Sequence, residues 1–141
     1  MSAPRRQARI LAMQALCQWD VQRDEAGGPL ADFLQAEDAP TRVVEYAELL
    51  VTTYWRLRKS VDQRITATST KWDLPRMSPV DRNVLRVAVV ELLVGDVPPG
   101  AVLDEAIEIG KEFGDRDSSR FINGILDQVL MGLDQSQEDT A

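Results

Sequence analysis

Few side chains in this sequence are equipped for chemistry, and the most concentrated group is arginine. Arg5, Arg6 and Arg9 crowd one short N-terminal stretch, a clustering that suits phosphate oxygens and equally suits a solvated cationic face. Asp104, Glu105 and Glu108 set carboxylates a helical turn apart and imitate part of a metal site. Without histidine or a second carboxylate-bearing helix to complete it, a solvated face is expected there, and no metal or other cofactor. Histidine is absent from the 141 residues, which removes the commonest general base and the commonest transition-metal ligand together. The single cysteine, Cys17, has no histidine to activate it and no partner for an internal disulfide, which fits a reducing cytoplasm. Gly110-Lys111-Glu112-Phe113-Gly114 lacks the glycine-lysine-serine/threonine ending of a phosphate loop. These residues describe a binding module with no catalytic group, not an enzyme.

Charge sharpens that expectation. A net charge of -7 argues against nucleic acid wrapped over the whole surface, but not against a local basic patch. Residues 1–23 hold Arg5, Arg6, Arg9 and Arg23 against Asp20, and residues 56–86 hold eight basic groups against Asp62, Asp73 and Asp81. Acid gathers in residues 24–48, around Asp104, Glu105 and Glu108, and after Gly132. So uneven a distribution is compatible with RNA binding despite the acidic total.

The elements that must position these groups read as helices. Ile10, Met13, Leu16 and Cys17 fall at helical spacing after Pro4, and Gly27-Gly28-Pro29 ends that run. A short helix is expected around Leu30, Phe33 and Leu34. After Pro40 a long one carries Val43, Ala47, Leu50, Tyr54, Leu57, Val61 and Ile65 on one side, fraying over Thr66 to Thr70. Ser78-Pro79-Val80-Asp81 is a helix start with a capping box, and Gly95 can close that helix in a left-handed conformation. Val87 to Val94, interrupted by Glu91, is too short and too charged to cross a bilayer and reads as a buried helix. Val97-Pro98-Pro99-Gly100 makes a rigid turn; one further helix stops near Gly114, and a last one opens near Asp117 or Ser118. Gly124 inside that last helix suggests a close helix crossing. No cleavable signal is expected. The expected fold class is all-α, a compact bundle of six to seven helices in a single domain over residues 1–133, with residues 134–141 a disordered acidic tail.

Three ordered stretches resemble the NusB transcription-antitermination family. They are Arg5-Arg6-Gln7-Ala8-Arg9 with Met13-Gln14-Ala15-Leu16 and Trp19; residues 80–92; and the run from Asp96-Val97-Pro98 through Asp104-Glu105-Ala106-Ile107-Glu108 to Asp117-Ser118-Ser119-Arg120-Phe121-Ile122-Asn123-Gly124-Ile125-Leu126-Asp127. The resemblance implies a compact all-α fold that pairs with the ribosomal protein NusE and binds boxA-type single-stranded RNA. It would act with the transcription elongation complex in the cytoplasm, in support of ribosomal RNA synthesis, with no membrane role. Arg5, Arg6 and Arg9 match the family's basic motif. Phe113, Asp117 and Phe121 match positions where bases dock between the last two helices, and Arg120 could add a phosphate contact. The competing readings are a core place for Phe113 and Phe121 and an N-cap for Asp117. Asp81 matches an acidic position offered to NusE, beside its capping role. Cys17 and Ser69 stand where the family often has aromatic residues, which removes two stacking platforms; Trp19 and Trp72 lie nearby in sequence. The alternative reading is a protein-interaction adaptor, or a homodimer of the same fold, with little RNA binding of its own.

Overall fold

A computed structural model describes residues 3–22, 39–68 and 74–140 of the chain, with side chains over 4–21, 39–68 and 74–134. Among the described residues there are five α-helices, which we label α1 (Ala3–Gln22), α2 (Thr41–Thr68), α3 (Pro79–Val94), α4 (Pro99–Phe113) and α5 (Ser118–Thr140), and one 3-10 turn, Leu74–Arg76. The fold is all-α, as the sequence implies. The short helix expected around Leu30, Phe33 and Leu34, and the positions Ser69 and Trp72, lie outside the described residues. Helix α2 continues through Thr68, whose hydroxyl donates to the Ile65 carbonyl at 2.9 Å, so residues 66–68 are helical where fraying was expected.

Helix α3 is the axis of the bundle and packs against all four other helices. Its start and stop are written locally. Ser78 Oγ accepts from the Asp81 backbone N–H at 3.2 Å, Pro79 occupies the first turn, and Gly95, at φ 83°, closes the helix by donating to the Glu91 carbonyl. A helix surrounded on every side must be buried all round, and each residue from Asp81 to Glu91 is. Val84, Leu85, Val87, Ala88, Val89 and Val90 supply the apolar fill. Ala8, Ala12 and Ala15 on α1 are small enough to bring that helix close, and Ile122, Ile125, Leu126 and Val129 of α5 close the far side.

Burial on all faces also traps the charged residues of α3, and each must then find a partner. Arg82 donates from Nε to Asp20 of α1 at 2.5 Å, and from Nη1 to the Leu74 and Met77 carbonyls. Arg86 forks onto Asp62 of α2 at 3.0 and 3.2 Å and also reaches Asp20 and the side-chain Oδ1 of Asn83. The basic surplus expected over residues 56–86 is therefore partly internal: Arg82 and Arg86 neutralise carboxylates inside the bundle and add nothing to its surface potential.

Two glycines fix how α4 meets α5. A Cβ added at Gly110 would lie 2.6 Å from Ile122 Cδ1, and one at Gly114 would overlap the Ser118 side chain. The close crossing is thus at Gly110 and Gly114. Gly124, where the sequence suggested it, is exposed and meets nothing within 4 Å.

Candidate RNA-binding surface

The three N-terminal arginines leave α1 in different directions, because successive helical side chains diverge by about 100°. Arg5 is exposed, and its guanidinium lies over the Tyr46 ring of α2, 5.1 Å from the centroid. Arg6 turns to α4, where Nε and Nη2 reach the two oxygens of Glu105 at 2.7 and 3.1 Å. Its side chain stays half exposed while Glu105 is buried. The Arg6 hydrogen bond holds the Glu105 carboxyl below its ordinary range. Glu105 is therefore no part of a solvated acidic face: it is the anchor that fastens the arginine-rich turn to α4. Of its expected companions, Asp104 is exposed and Glu108 pairs with Lys111 at the surface.

Arg9 points inward. It is 2% exposed, and its guanidinium donates to both oxygens of Glu91 at 2.5 and 2.9 Å. Burial opposes the charge, but the Glu91 hydrogen bond and Coulomb attraction outweigh it and leave the guanidinium more firmly protonated. Tyr46 completes this cluster by donating its hydroxyl to Glu91 Oε2 at 2.6 Å. Burial and then Glu91 push the Tyr46 hydroxyl up to about 12, so it remains a donor through the neutral range.

At the far end of α4, the chain turns through residues 114–117 into α5. Asp115 organises this corner. Its Oδ1 accepts from the Asp117 N–H at 3.0 Å and from the Ser118 hydroxyl at 3.3 Å, while Ser118 Oγ accepts from the Asp115 N–H at 2.9 Å. The side-chain cap is Asp115, not Asp117 as the sequence suggested; nothing in the spacing distinguished the two. The Asp117 carboxylate is exposed and makes no hydrogen bond among the described residues. Arg116 and Arg120 are exposed beside it. Phe113 and Phe121 are half-buried, with part of each ring on the core and part open to solvent. Cations, a free carboxylate and open ring edges therefore share one corner.

Asp81 is 7% exposed. Burial pushes its carboxyl up, the Ser118 and Ser78 hydroxyls partly offset this, and Asp115 adds to it; Oδ1 has no partner among the described residues. Cys17 donates to the Pro79 carbonyl at 3.4 Å and accepts from Asn83 Nδ2 at 3.5 Å, and burial pushes its thiol up. Trp19 packs edge-on against Tyr54 and Trp55, at 6.2 and 5.4 Å between centroids, so its ring is largely engaged within the bundle. Sequence reasoning did not single out Tyr46 or Arg42, although their four-residue spacing on the long helix places them on one face.

Comparison with known proteins agrees with this architecture. The NusB family model matches residues 6–131. A transcription antitermination protein NusB from Anaeromyxobacter dehalogenans is 46% identical over 134 residues, covering 94% of each chain. Among solved structures, T. maritima NusB superposes with a TM-score of 0.78 at 37% identity, over 92% of both chains. A structure of the antitermination factors NusB and NusE in complex with dsRNA matches with a TM-score of 0.81 at 27% identity, over 94% of this chain and 99% of that one. With the family model running from Arg6 in α1 through most of α5, and relatives aligned almost end to end, this chain belongs to the NusB family.

Proposed function

We propose that this chain is a transcription antitermination factor that binds boxA-type single-stranded RNA together with NusE. It acts in the cytoplasm, as part of the elongation complex that synthesises ribosomal RNA, and performs no catalysis. Residues 1–133 form the RNA-binding unit. The observation that carries the reading is the forked Arg6–Glu105 pair. It bonds the arginine-rich turn of α1 to the helix that ends at Phe113, so cationic and aromatic halves of one surface are held by a single rigid rod. From Glu105 to Phe113 is eight residues, about 12 Å of helix, a span that a short stretch of nucleic acid bridges.

Arg5 and the exposed part of Arg6 serve phosphates, and Arg120 adds a third cation. Phe113 and Phe121 offer ring edges to bases, and the Asp117 carboxylate can accept from a base amino group. Unstacked bases are what such groups recognise, which favours a single strand here although the NusB–NusE neighbour was solved with dsRNA. Arg9 and Asp81, both buried, act as positioning groups: Arg9 locks α1 onto α3, and Asp81 sits under the α4–α5 corner. An acidic chain also attracts a basic ribosomal protein over long range.

The test is fluorescence anisotropy of labelled boxA RNA against a scrambled RNA, with and without NusE. Sequence-selective binding that strengthens with NusE and weakens on Arg120→Ala, an exposed position, is the expected result. Equal weak binding of both RNAs alongside a stable NusE complex would reduce the chain to a protein adaptor.

A further inference from the structure

Apart from the corner at Phe113 and Phe121, a recess opens where the first turn of α1 meets α2. It is a groove of about 300 Å3 lined by Pro4, Arg5, Arg42 and Tyr46. An arginine also lies over an aromatic ring at Arg58 and Trp55, 4.0 Å from the centroid, but this recess differs from the arginine sites that carboxylates engage. Arg6, Arg9, Arg82 and Arg86 are each paired with a carboxylate. Arg5 and Arg42 are exposed and form no ion pair among the described residues; Arg5 lies over the Tyr46 ring, and Arg42 lines the same groove. That ring is fixed in place, because the Tyr46 hydroxyl is anchored on Glu91, itself clamped by Arg9.

We propose that this groove is a second RNA subsite, taking one base on the Arg5–Tyr46 layer and its neighbouring phosphate on Arg42. The proposal rests on the RNA-binding reading above. Bases out of a helix stack on aromatic rings and on guanidinium planes alike, and Arg5 already lies over Tyr46 with its outer face toward solvent. Arg42 supplies a cation with no carboxylate competing for it. Adjacent residues Arg5 and Arg6 splay to α2 and α4 respectively, so the first turn of α1 is the ridge between the two subsites. A strand crossing that ridge meets Arg6, then Arg5, then Arg42. The RNA footprint therefore extends onto the first turns of α2 and is longer than the α4–α5 corner alone would hold.

The experiment titrates salt against binding of a labelled boxA-type RNA extended by a few nucleotides at each end, using the full chain with NusE. Arg42→Ala removes a surface cation that supports no internal contact; Lys59→Ala, at an exposed position further along α2, is the charge-matched control. The expected result is weaker binding for Arg42→Ala with a log–log salt slope shallower by about 0.7, the value for one phosphate contact on a single strand, and no change for Lys59→Ala. If Arg42→Ala matches Lys59→Ala while Arg120→Ala weakens binding, the subsite is overturned and the RNA-binding reading stands. Failure of the parent protein to bind RNA selectively overturns both. Weaker capture of NusE by Arg42→Glu in the absence of RNA assigns the groove to protein contact and also overturns the subsite.

Discussion

Arg9 and Glu91 show what a buried charge does when its partner is removed. Both side chains are 2% exposed. Glu91→Ala takes the forked carboxylate away from a buried guanidinium, and a loss of about 3–5 kcal/mol is expected in urea unfolding. The double variant Arg9→Met with Glu91→Leu removes both charges and is expected to recover much of that loss. Two carboxyls give opposite acid responses. Arg6 holds Glu105 below its ordinary value near 4.5, so its contribution is present above that pH and is lost as pH falls through the depressed folded value. Thermal unfolding of Glu105→Gln is therefore expected to fall less steeply than that of the parent in acid. Asp81 is raised above its ordinary value of 3.8, so protonation favours the fold: that contribution is present below 3.8 and disappears as pH rises through the raised value. Asp81→Asn is expected to equal the parent in acid and to gain on it toward pH 7, measured by the same melts.

At the scale of elements, the two kinds of glycine separate cleanly. Gly124 is exposed in mid-helix with open space where a side chain would go, so Gly124→Ala is expected to stabilise by about 1 kcal/mol through helix propensity alone. Gly110 faces the Ile122 Cδ1 methyl at 2.6 Å while the nearest backbone of α5 stands at 3.8 Å, so Gly110→Ala is expected to destabilise by about 1 kcal/mol as the buried Ile122 side chain repacks. Denaturant midpoints of the two variants check both signs. The helix starts at Ser78 and the stop at Gly95 were readable in the sequence because caps are local chemistry. The crossing at Gly110 and Gly114 was not, since a glycine's spacing does not say which helix approaches it. The same limit applies to Arg9: three arginines in five residues look alike in sequence, and only the position of Glu91, eighty-two residues away, turns one of them inward.

Across the whole molecule, the fold brings charge to the surface selectively. The sequence has 16 basic residues, but Arg9, Arg82 and Arg86 are sealed in the bundle against Glu91, Asp20 and Asp62. What remains exposed around the first turn of α1 and the α4–α5 corner is a small cationic and aromatic surface on an acidic body, an arrangement that favours a local strand over a long duplex. The family resemblance reached this site from sequence because its stretches span both ends of α4. Arg42 and Tyr46 lay outside those stretches, and only the packing of α2 on α1 adds them. Photo-crosslinking of boxA RNA to the chain in its NusE complex, with crosslinked peptides identified by mass spectrometry, tests the central claim most directly. Crosslinks at Phe113 or Phe121 together with the N-terminal turn around Arg5 are expected. Crosslinks confined to surfaces remote from both, such as the outer face of α2 near Lys59, would contradict it.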